Sequence, residues 1–253
     1  MKLAPPPVAA YRDHRRGFGR TLTLVRGFRR EASDPAPFYR FLAADTVATL
    51  SRHVDLRDRT VLDVGGGPGY LADAVRAAGG RCIVVDRAGP ELRLHGRTPR
   101  AALIGDAQRL PLPAGCVDVV HSSNVLEHVR VPTTMLAELV RVLRAGGVGY
   151  LSFTNWLSPR GGHETSPWHY LGGNSAVRHY ERRYRQPPKN RYGENLFRLD
   201  IGPVLRWFAA HPGVEILDAV PRYLPWWCEW LTSVPGVREV ATWNLELVFR
   251  GTR

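Results

Sequence analysis

Short apolar segments alternate with helix-like patterns in the middle of the chain. Continuous apolar runs predict strands that are buried on both faces, whereas an apolar position every three or four residues predicts a helix. This alternation is typical of a parallel sheet covered by helices, an α/β fold. The predicted strands are 61–64, 81–86, 101–107, 116–123 and 148–154, and the predicted helices are 70–78 and 133–143.

A glycine-rich turn, Gly65-Gly-Gly-Pro-Gly69, joins the first predicted strand to the first helix. A strand, a glycine turn and a helix form the corner at which doubly wound α/β folds bind nucleosides or phosphates, because glycine lets a ligand approach the backbone closely. The spacing is Gly65-x-Gly67-x-Gly69. A dinucleotide-binding loop needs a glycine where Tyr70 stands, and no lysine follows that would make a Walker loop.

Polar residues follow the next strands at corresponding places: Asp86 after the second, Gly105-Asp106-Ala107 after the third and Ser123-Asn124 after the fourth. With the glycine turn, these motifs resemble the class I S-adenosylmethionine (SAM) dependent methyltransferases, type 11 branch, over about residues 58–155. The flanks, with Gly161-Gly-His-Glu164, resemble an actinobacterial subgroup. The resemblance implies a doubly wound, seven-stranded Rossmann-like sheet, in which strands at 214–219 and 244–249 form an antiparallel pair.

The resemblance also implies which residues bind SAM as the cofactor. The glycine loop faces the methionine end, and a carboxylate suits the ribose because a diol offers two donors and a carboxylate two acceptors. We expect Asp63 at the ammonium, Asp86 at the ribose, Asp106 and the Ala107 backbone at the adenine, and Ser123 and Asn124 near the sulfonium. The expected cofactor-binding residues are Asp63, Gly65, Gly67, Gly69, Asp86, Asp106, Ala107, Ser123 and Asn124.

Segments on both sides of the motif region are expected to cover the active site. Residues 1–57 are interpreted as an N-terminal helical cap or lid, and 58–253 as the methyltransferase domain. Within that domain, 155–198 lacks a clear period and is too long for an ordinary connection, so it predicts an active-site insertion after the fifth strand. Asp34-Pro35 predicts a helix start, with the helix running to about His53. Its expected buried residues are Phe38, Leu42, Val47 and Leu50.

Two stretches leave membrane contact open. Residues 11–30 are rich in arginine, with Phe18, Leu22 and Val25 at helical spacing. They predict either a lid helix with its arginines in water, which we favour, or an amphipathic helix on an anionic membrane. An aromatic cluster favours core packing, with a hydrophobic acceptor pocket or membrane contact as alternatives. It consists of Tyr223, Trp226, Trp227 and Trp230.

Four residues are candidates for a general base. Methyl transfer is an in-line displacement in which the protein aligns the acceptor with the methyl group and removes a proton if the acceptor is a hydroxyl. We prefer His163 because it lies in a glycine-flanked loop of the insertion, and a neutral histidine near its ordinary pKa suits this work. Packing or solvated-loop roles remain the alternatives. The candidates are His163, Glu164, His128 and His169.

Composition limits the partners and the location. The net charge of +12 comes almost wholly from arginine, which suits RNA, an anionic membrane or merely a GC-rich genome. Three cysteines without a CxxC pair argue against a disulfide framework, and the absence of a clustered spacing of metal ligands in the sequence disfavours a metal site. No signal peptide or membrane-spanning run is evident, so we expect a cytoplasmic protein, with the inner membrane face as a peripheral location left open.

Three functions remain open. The favoured one is methyl transfer to oxygen of a small-molecule, glycan or lipid-linked acceptor. The alternatives are an RNA methyltransferase and a SAM-binding protein without catalysis. The segment after the fourth strand, Ser123-Asn124-Val125-Leu126, lacks the [N/D]PP[Y/F] motif of amino-directed enzymes, and this disfavours DNA and glutamine as acceptors. Oligomeric state is not predicted.

Overall fold

A single seven-stranded sheet organises the chain, which is described by a computed structural model over residues 17–30 and 34–252. The strand order is β3-β2-β1-β4-β5-β7-β6. The pairs β1–β2, β2–β3, β1–β4 and β4–β5 are parallel, whereas β7 runs antiparallel to both β5 and β6. The doubly wound α/β fold is therefore confirmed. The strands are β1 Thr60–Val64, β2 Arg81–Asp86, β3 Ala102–Ile104, β4 Val117–Ser123, β5 Leu143–Thr154, β6 Val214–Pro221 and β7 Asn244–Gly251.

Helices cover both faces of this sheet. Successive residues of β1 point to opposite faces, so Val61 joins one core cluster and Leu62 and Val64 join the other. The first cluster lies under α2 and α3, and the second lies under α4 and α6. The helices are α1 Phe18–Arg30, α2 Pro35–Leu50, α3 Tyr70–Ala77, α4 Pro132–Val142, α5 Gly173–Tyr184, α6 Ile201–Ala210 and α7 Val237–Ala241.

The N-terminal region follows its prediction in α2 and departs from it in α1. All four expected residues of α2 are buried, although Asp34 makes no side-chain capping bond to this helix within the described chain. In α1, Phe18 and Val25 are exposed, while Arg20 is buried and bonded to Asp45. The expectation of arginines in water is thus wrong at Arg20, because an ion pair with α2 holds this arginine inward, whereas Arg26 is exposed as expected. Three arginines of the 11–30 stretch, Arg12, Arg15 and Arg16, lie outside the described residues.

Three other expectations differ from the structure. Strand β5 begins at Leu143, earlier than expected, and runs through Gly146 and Gly147. Helix α5 lies within the insertion, where no helix was predicted. The prediction that the aromatic cluster packs in the core is wrong for its tryptophans, which lie on the 3₁₀ helix Trp226–Ser233 beyond β6. Their exposed fractions are 58% for Trp226, 49% for Trp227 and 59% for Trp230.

Within the described ranges, none of the helices combines the length and apolar character needed to cross a membrane.

Candidate functional site

A cavity of about 750 Å³ opens at the carboxyl ends of the central parallel strands. Ligands bind at this edge in open α/β sheets because the loops after the strands diverge there. The glycine turn and strand ends form one part of the wall, and α2 contributes Tyr39 and Thr46. The insertion completes the opposite part with Lys189, Asn190 and Asn195. Both segments expected to border the site therefore supply lining residues.

The glycine turn needs glycine for both conformation and space. Gly65, Gly67 and Gly69 have φ angles of 74°, 49° and 79°, in the left-handed region. A Cβ on Gly65 would lie 2.2 Å from a methyl carbon of Val125, and one on Gly66 would lie 2.2 Å from the Asp63 carboxylate. The turn is therefore packed against the end of β1 and exposes its backbone to the cavity.

Asp63 is fixed by the neighbouring strand. Its Oδ1 lies 2.7 Å from Nδ1 of His121, its register partner on β4, and both side chains are buried. The contact orients the carboxylate beneath the glycine turn. His121 was not identified from the sequence, because its pairing with Asp63 exists only once the two strands are aligned.

Asp86 holds the outer side of the same turn. Its carboxylate accepts hydrogen bonds from the backbone N–H groups of Gly67, at 3.1 Å, and Ala88, at 3.4 Å. Burial raises the pKa of Asp86 above its ordinary value, against the lowering effect of these hydrogen bonds. The next strand end places Asp106 and Ala107 in the cavity wall, and Asp106 accepts a hydrogen bond of 2.8 Å from the Gln108 N–H.

Ser123 and Asn124 are tied to the strands that follow later in the chain. Ser123 Oγ accepts hydrogen bonds from Arg222 Nη1 at 2.7 Å and from Ser152 Oγ at 2.9 Å. Asn124 has a φ of 55°, and its Oδ1 accepts from Asn244 Nδ2 at 2.8 Å. Arg222, which is 1% exposed and lines the cavity, was missed because its partners are far away in the sequence.

Two of the four candidate bases are in contact with each other, and one of them lines the cavity. The rings of His128 and His163 are edge-to-face with centroids 5.0 Å apart, and His128 lines the cavity. His128 Nδ1 lies 2.7 Å from the Asn195 carbonyl oxygen. A carbonyl can only accept, so Nδ1 carries the proton and Nε2 is the acceptor nitrogen. Burial, with a smaller effect from His128, lowers the pKa of His163 to about 4, which departs from the ordinary value expected from the sequence.

The other two candidates lie in the framework of the insertion. Glu164 accepts hydrogen bonds from Asn190, including 2.8 Å from Nδ2, and so ties two parts of the insertion together. His169 is fully buried, with Nε2 3.2 Å from the Ser158 carbonyl oxygen and its ring edge-to-face with Trp156. Burial lowers the pKa of His169. Neither Glu164 nor His169 is among the described residues that line the cavity.

Glu127 is a buried acid that the sequence did not single out for chemistry. It is 1% exposed, and its Oε1 accepts a hydrogen bond of 3.0 Å from the Thr154 N–H. Its backbone carbonyl accepts from the Phe197 N–H at 2.9 Å, which joins it to the end of the insertion. Burial raises the pKa of Glu127, opposed by His128.

The cavity fits SAM in size and chemistry. Its volume lies in the range of cofactor sites, about 300–1,000 Å³. One end offers exposed glycine backbone beside a buried acid, Asp63, and the other offers Asp86 and Asp106 on adjacent strand ends. An ammonium and a ribose diol are the partners that such carboxylates prefer.

Comparison with known proteins agrees with this geometry. Residues 62–151 match the family model described as a methyltransferase domain. The chain is 43% identical over 244 residues to an uncharacterized methyltransferase of Mycobacteroides abscessus, covering 91% of this chain and 93% of that protein. Over 241 residues it is 44% identical to a protein of the same description from Mycobacterium avium, covering 91% and 94%.

Solved structures share the fold at lower identity. One is a methyltransferase of Haloferax volcanii in complex with the Trm112 activator, with a TM-score of 0.57, 18% identity and coverage of 92% of this chain and 98% of that one. Another is a SAM-dependent methyltransferase from Mesorhizobium loti, with a TM-score of 0.56, 18% identity and coverage of 82% and 97%.

Proposed function

The chain belongs to the class I SAM-dependent methyltransferases, and on that premise we propose that it methylates an oxygen of a small-molecule, glycan or lipid-linked acceptor. When bound, SAM supplies a methyl group on a cationic sulfonium, which is an excellent leaving group. The chain's own residues therefore have three tasks: holding the cofactor, aligning the acceptor and assisting loss of its proton.

The cofactor assignments follow the strand ends. Asp86 accepts from the ribose hydroxyls, and Asp106 with the Ala107 N–H contacts the adenine. Gly65, Gly67 and Gly69 present backbone to the methionine end beside Asp63. Ser123 and Asn124 lie between these groups and His128 along the chain, so the methyl group is expected on their side of the cavity.

One observation carries the choice of oxygen. His128 lines the cavity wall with Nδ1–H fixed on the Asn195 carbonyl, so that Nε2 offers a lone pair. A hydroxyl acceptor must lose a proton during transfer, and an imidazole lone pair at the wall is suited to assist that loss. We therefore assign His128, supported by His163, to activation of the acceptor. Glu164 and His169 are assigned to holding the insertion in place.

The outer surface of the insertion supports a lipid-linked acceptor. Trp168, Tyr170 and Leu171 are 43%, 50% and 73% exposed on one short turn. The rings of Trp168 and of His179 on α5 are tilted against each other with their centroids 3.9 Å apart, so this turn and α5 form one surface. Exposed cations follow on and just beyond α5, namely Arg178, Arg182, Arg183, Arg185 and Lys189. Aromatic and apolar side chains beside cations match the boundary of an anionic bilayer.

Transfer of a labelled methyl group tests the main proposal. The protein is incubated with ¹³C-methyl SAM and either an envelope lipid extract, a water-soluble metabolite extract or RNA. The proposal expects label in one of the first two fractions, with the ¹³C chemical shift of a methyl group on oxygen. A shift typical of nitrogen or carbon contradicts the choice of atom. Label in RNA supports the RNA alternative, and SAM binding without label in any fraction supports a binding protein without catalysis.

Vesicle flotation tests the membrane surface. We expect binding to phosphatidylglycerol vesicles but not to phosphatidylcholine vesicles, with binding lost in Trp168→Glu/Leu171→Glu. The matched control is Val240→Glu, at a position 58% exposed on α7. Equal binding of the double variant and the wild type contradicts this surface. Salt-dependent retention on RNA without vesicle binding also contradicts it and favours the RNA alternative.

A further inference from the structure

Three potential metal ligands from two distant parts of the chain meet at His128, which lines the cavity. Glu127 and His128 lie on the short turn after β4, and His163 lies in the insertion. One ligand atom from each side chain can be chosen so that all three lie within 4.8 Å of one another. Atoms bound to one ion at 2.0–2.2 Å are about 3–3.5 Å apart. Small side-chain rotations would close the remaining gap.

Two atoms of this group are buried without the partners that such atoms need. Glu127 Oε2 has no hydrogen-bond partner among the described residues, although the side chain is almost fully buried. Nε2 of His163 is likewise buried and unpaired within the ranges that the structure covers. Buried polar atoms are nearly always satisfied, and an unpaired buried carboxylate oxygen is particularly costly. A cation between them would satisfy both atoms at once.

The third member is already oriented as a metal ligand. Metal-binding histidines usually donate their second ring N–H to a carbonyl or carboxylate, which fixes the tautomer and the ring. His128 has this arrangement, with Nδ1–H on the Asn195 carbonyl at 2.7 Å. Asn195 is in turn fixed, because its Oδ1 accepts from the Arg191 N–H at 2.6 Å. The insertion therefore supplies both a ligand, His163, and the group that orients another ligand.

We propose that Glu127 Oε2, His128 Nε2 and His163 Nε2 bind a divalent transition metal ion of the zinc type. Two imidazoles and one carboxylate form a known catalytic zinc set that leaves a position open for water or substrate. This inference rests on the proposed hydroxyl acceptor, and it replaces direct proton removal by the His128 lone pair with activation of the hydroxyl by an ion bound to that lone pair.

The proposed methyl transfer needs no reactant other than SAM and the acceptor hydroxyl. The acceptor hydroxyl oxygen occupies the open position, and the metal ion lowers its pKa so that its proton leaves to water at the cavity mouth. The oxygen then forms the new bond to the methyl carbon. The carbon–sulfur bond breaks with its electron pair remaining on sulfur. The net products are the methyl ether or ester, the neutral thioether and one proton.

Metal binding can be measured without any acceptor. The full-length protein is treated with a chelator, and Co²⁺ and then Zn²⁺ are titrated by visible absorption and calorimetry. We expect one ion per chain, with d–d absorption of mixed nitrogen and oxygen coordination. His163→Ala and Glu127→Gln should weaken Zn²⁺ binding by about 100-fold or more, since loss of an orienting group alone costs about 10- to 100-fold. The matched control His179→Ala, in the same insertion, should bind as the wild type does.

The outcomes separate this inference from the proposed function. Calorimetry with SAM reports whether each variant is folded, and Glu127→Gln retains an oxygen for the Thr154 N–H if His163→Ala fails to fold. Absence of stoichiometric metal in the wild type, or unchanged binding in both variants, overturns the site. Oxygen methylation by the chelated protein also overturns it while leaving the proposed function intact. Metal binding lost in the variants, with label only on nitrogen, supports the site and contradicts the hydroxyl acceptor.

Discussion

The two halves of the cavity are built in different ways. In the proposed assignment, the cofactor half consists of strand ends and the turns that immediately follow them, so that Asp63, Asp86 and Asp106 each lie within a short local motif. The acceptor half is assembled from residues far apart in the chain, as in the contact between His128 and Asn195. The first half can thus be kept while the second is rebuilt, which is how one fold serves many acceptors.

The largest expected difference between an effect on methyl turnover and an effect on SAM affinity is at His128. Replacing His128 with alanine should lower methyl turnover about 100- to 10,000-fold, because activation of the acceptor is lost. SAM affinity should remain within about threefold of the wild type, since the cofactor half is unaltered. Steady-state kinetics with the acceptor and calorimetry with SAM measure the two quantities.

A control in the same insertion keeps this test specific. His179→Ala, on the outer side of α5, should leave turnover unchanged with a water-soluble acceptor. If His128→Ala weakened SAM binding as strongly as turnover, the two halves would not be separable, and the assignment of His128 to the acceptor would be wrong.

An intermediate effect is expected on the cofactor side at Asp86. Asp86→Ala should weaken SAM binding by about 1–3 kcal/mol, because hydrogen bonds to a charged group are removed and the Gly67 N–H loses its acceptor. Calorimetry measures this loss, with Glu215→Gln on the edge strand β6 as the matched control. Equal affinities for Asp86→Ala and the wild type would remove Asp86 from the site.

The smallest effect is a pH dependence confined to the cofactor half. In the proposed cofactor site the charged form of Asp86 accepts hydrogen bonds from the ribose, and burial raises the pKa of Asp86. SAM affinity should therefore be constant at neutral pH and decline as the pH falls through that raised pKa, by up to about tenfold per unit. Titrations at several pH values measure the decline, and Asp86→Asn should abolish it. A decline of the same size in Asp86→Asn would assign the pH dependence to another group.

The sequence predicts the strand ends that line the cavity well because their signals are local; their roles toward SAM stay predictions. The order of strands and the identity of the lining residues Asp63, Asp86, Asp106, Ser123 and Asn124 follow from runs and turns a few residues long. Strands β1 and β2 begin and end within one residue of their predicted bounds. A glycine turn after an apolar run predicts its own backbone conformation, since few other residues adopt its positive φ angles.

The insertion and the acceptor half of the cavity depend on contacts between residues that are far apart in the chain, and local sequence patterns do not predict such contacts. Helix α5 buries only Gly173, Ala176 and Val177, so its apolar stripe is too weak to predict a helix among the glycines and prolines of the insertion. Arg222 is held at the cavity by hydrogen bonds that it donates to Ser123 and Ser152, which lie far from it in the chain. The sequence likewise does not reveal the proposed metal ligands, because Glu127 and His163 are far apart in the chain and meet only in the fold.

Strand β7 has a consequence for how the protein is made. It is synthesised after the other six strands, yet it inserts between β5 and β6 rather than at an edge. Until it leaves the ribosome, β5 has an unpaired edge that can join another nascent chain. Its first residue, Asn244, also holds Asn124 in the cavity. Synthesis of β7 therefore completes the sheet and the cavity wall at the same stage. Chains whose translation stops before β7 should be inactive and prone to aggregate.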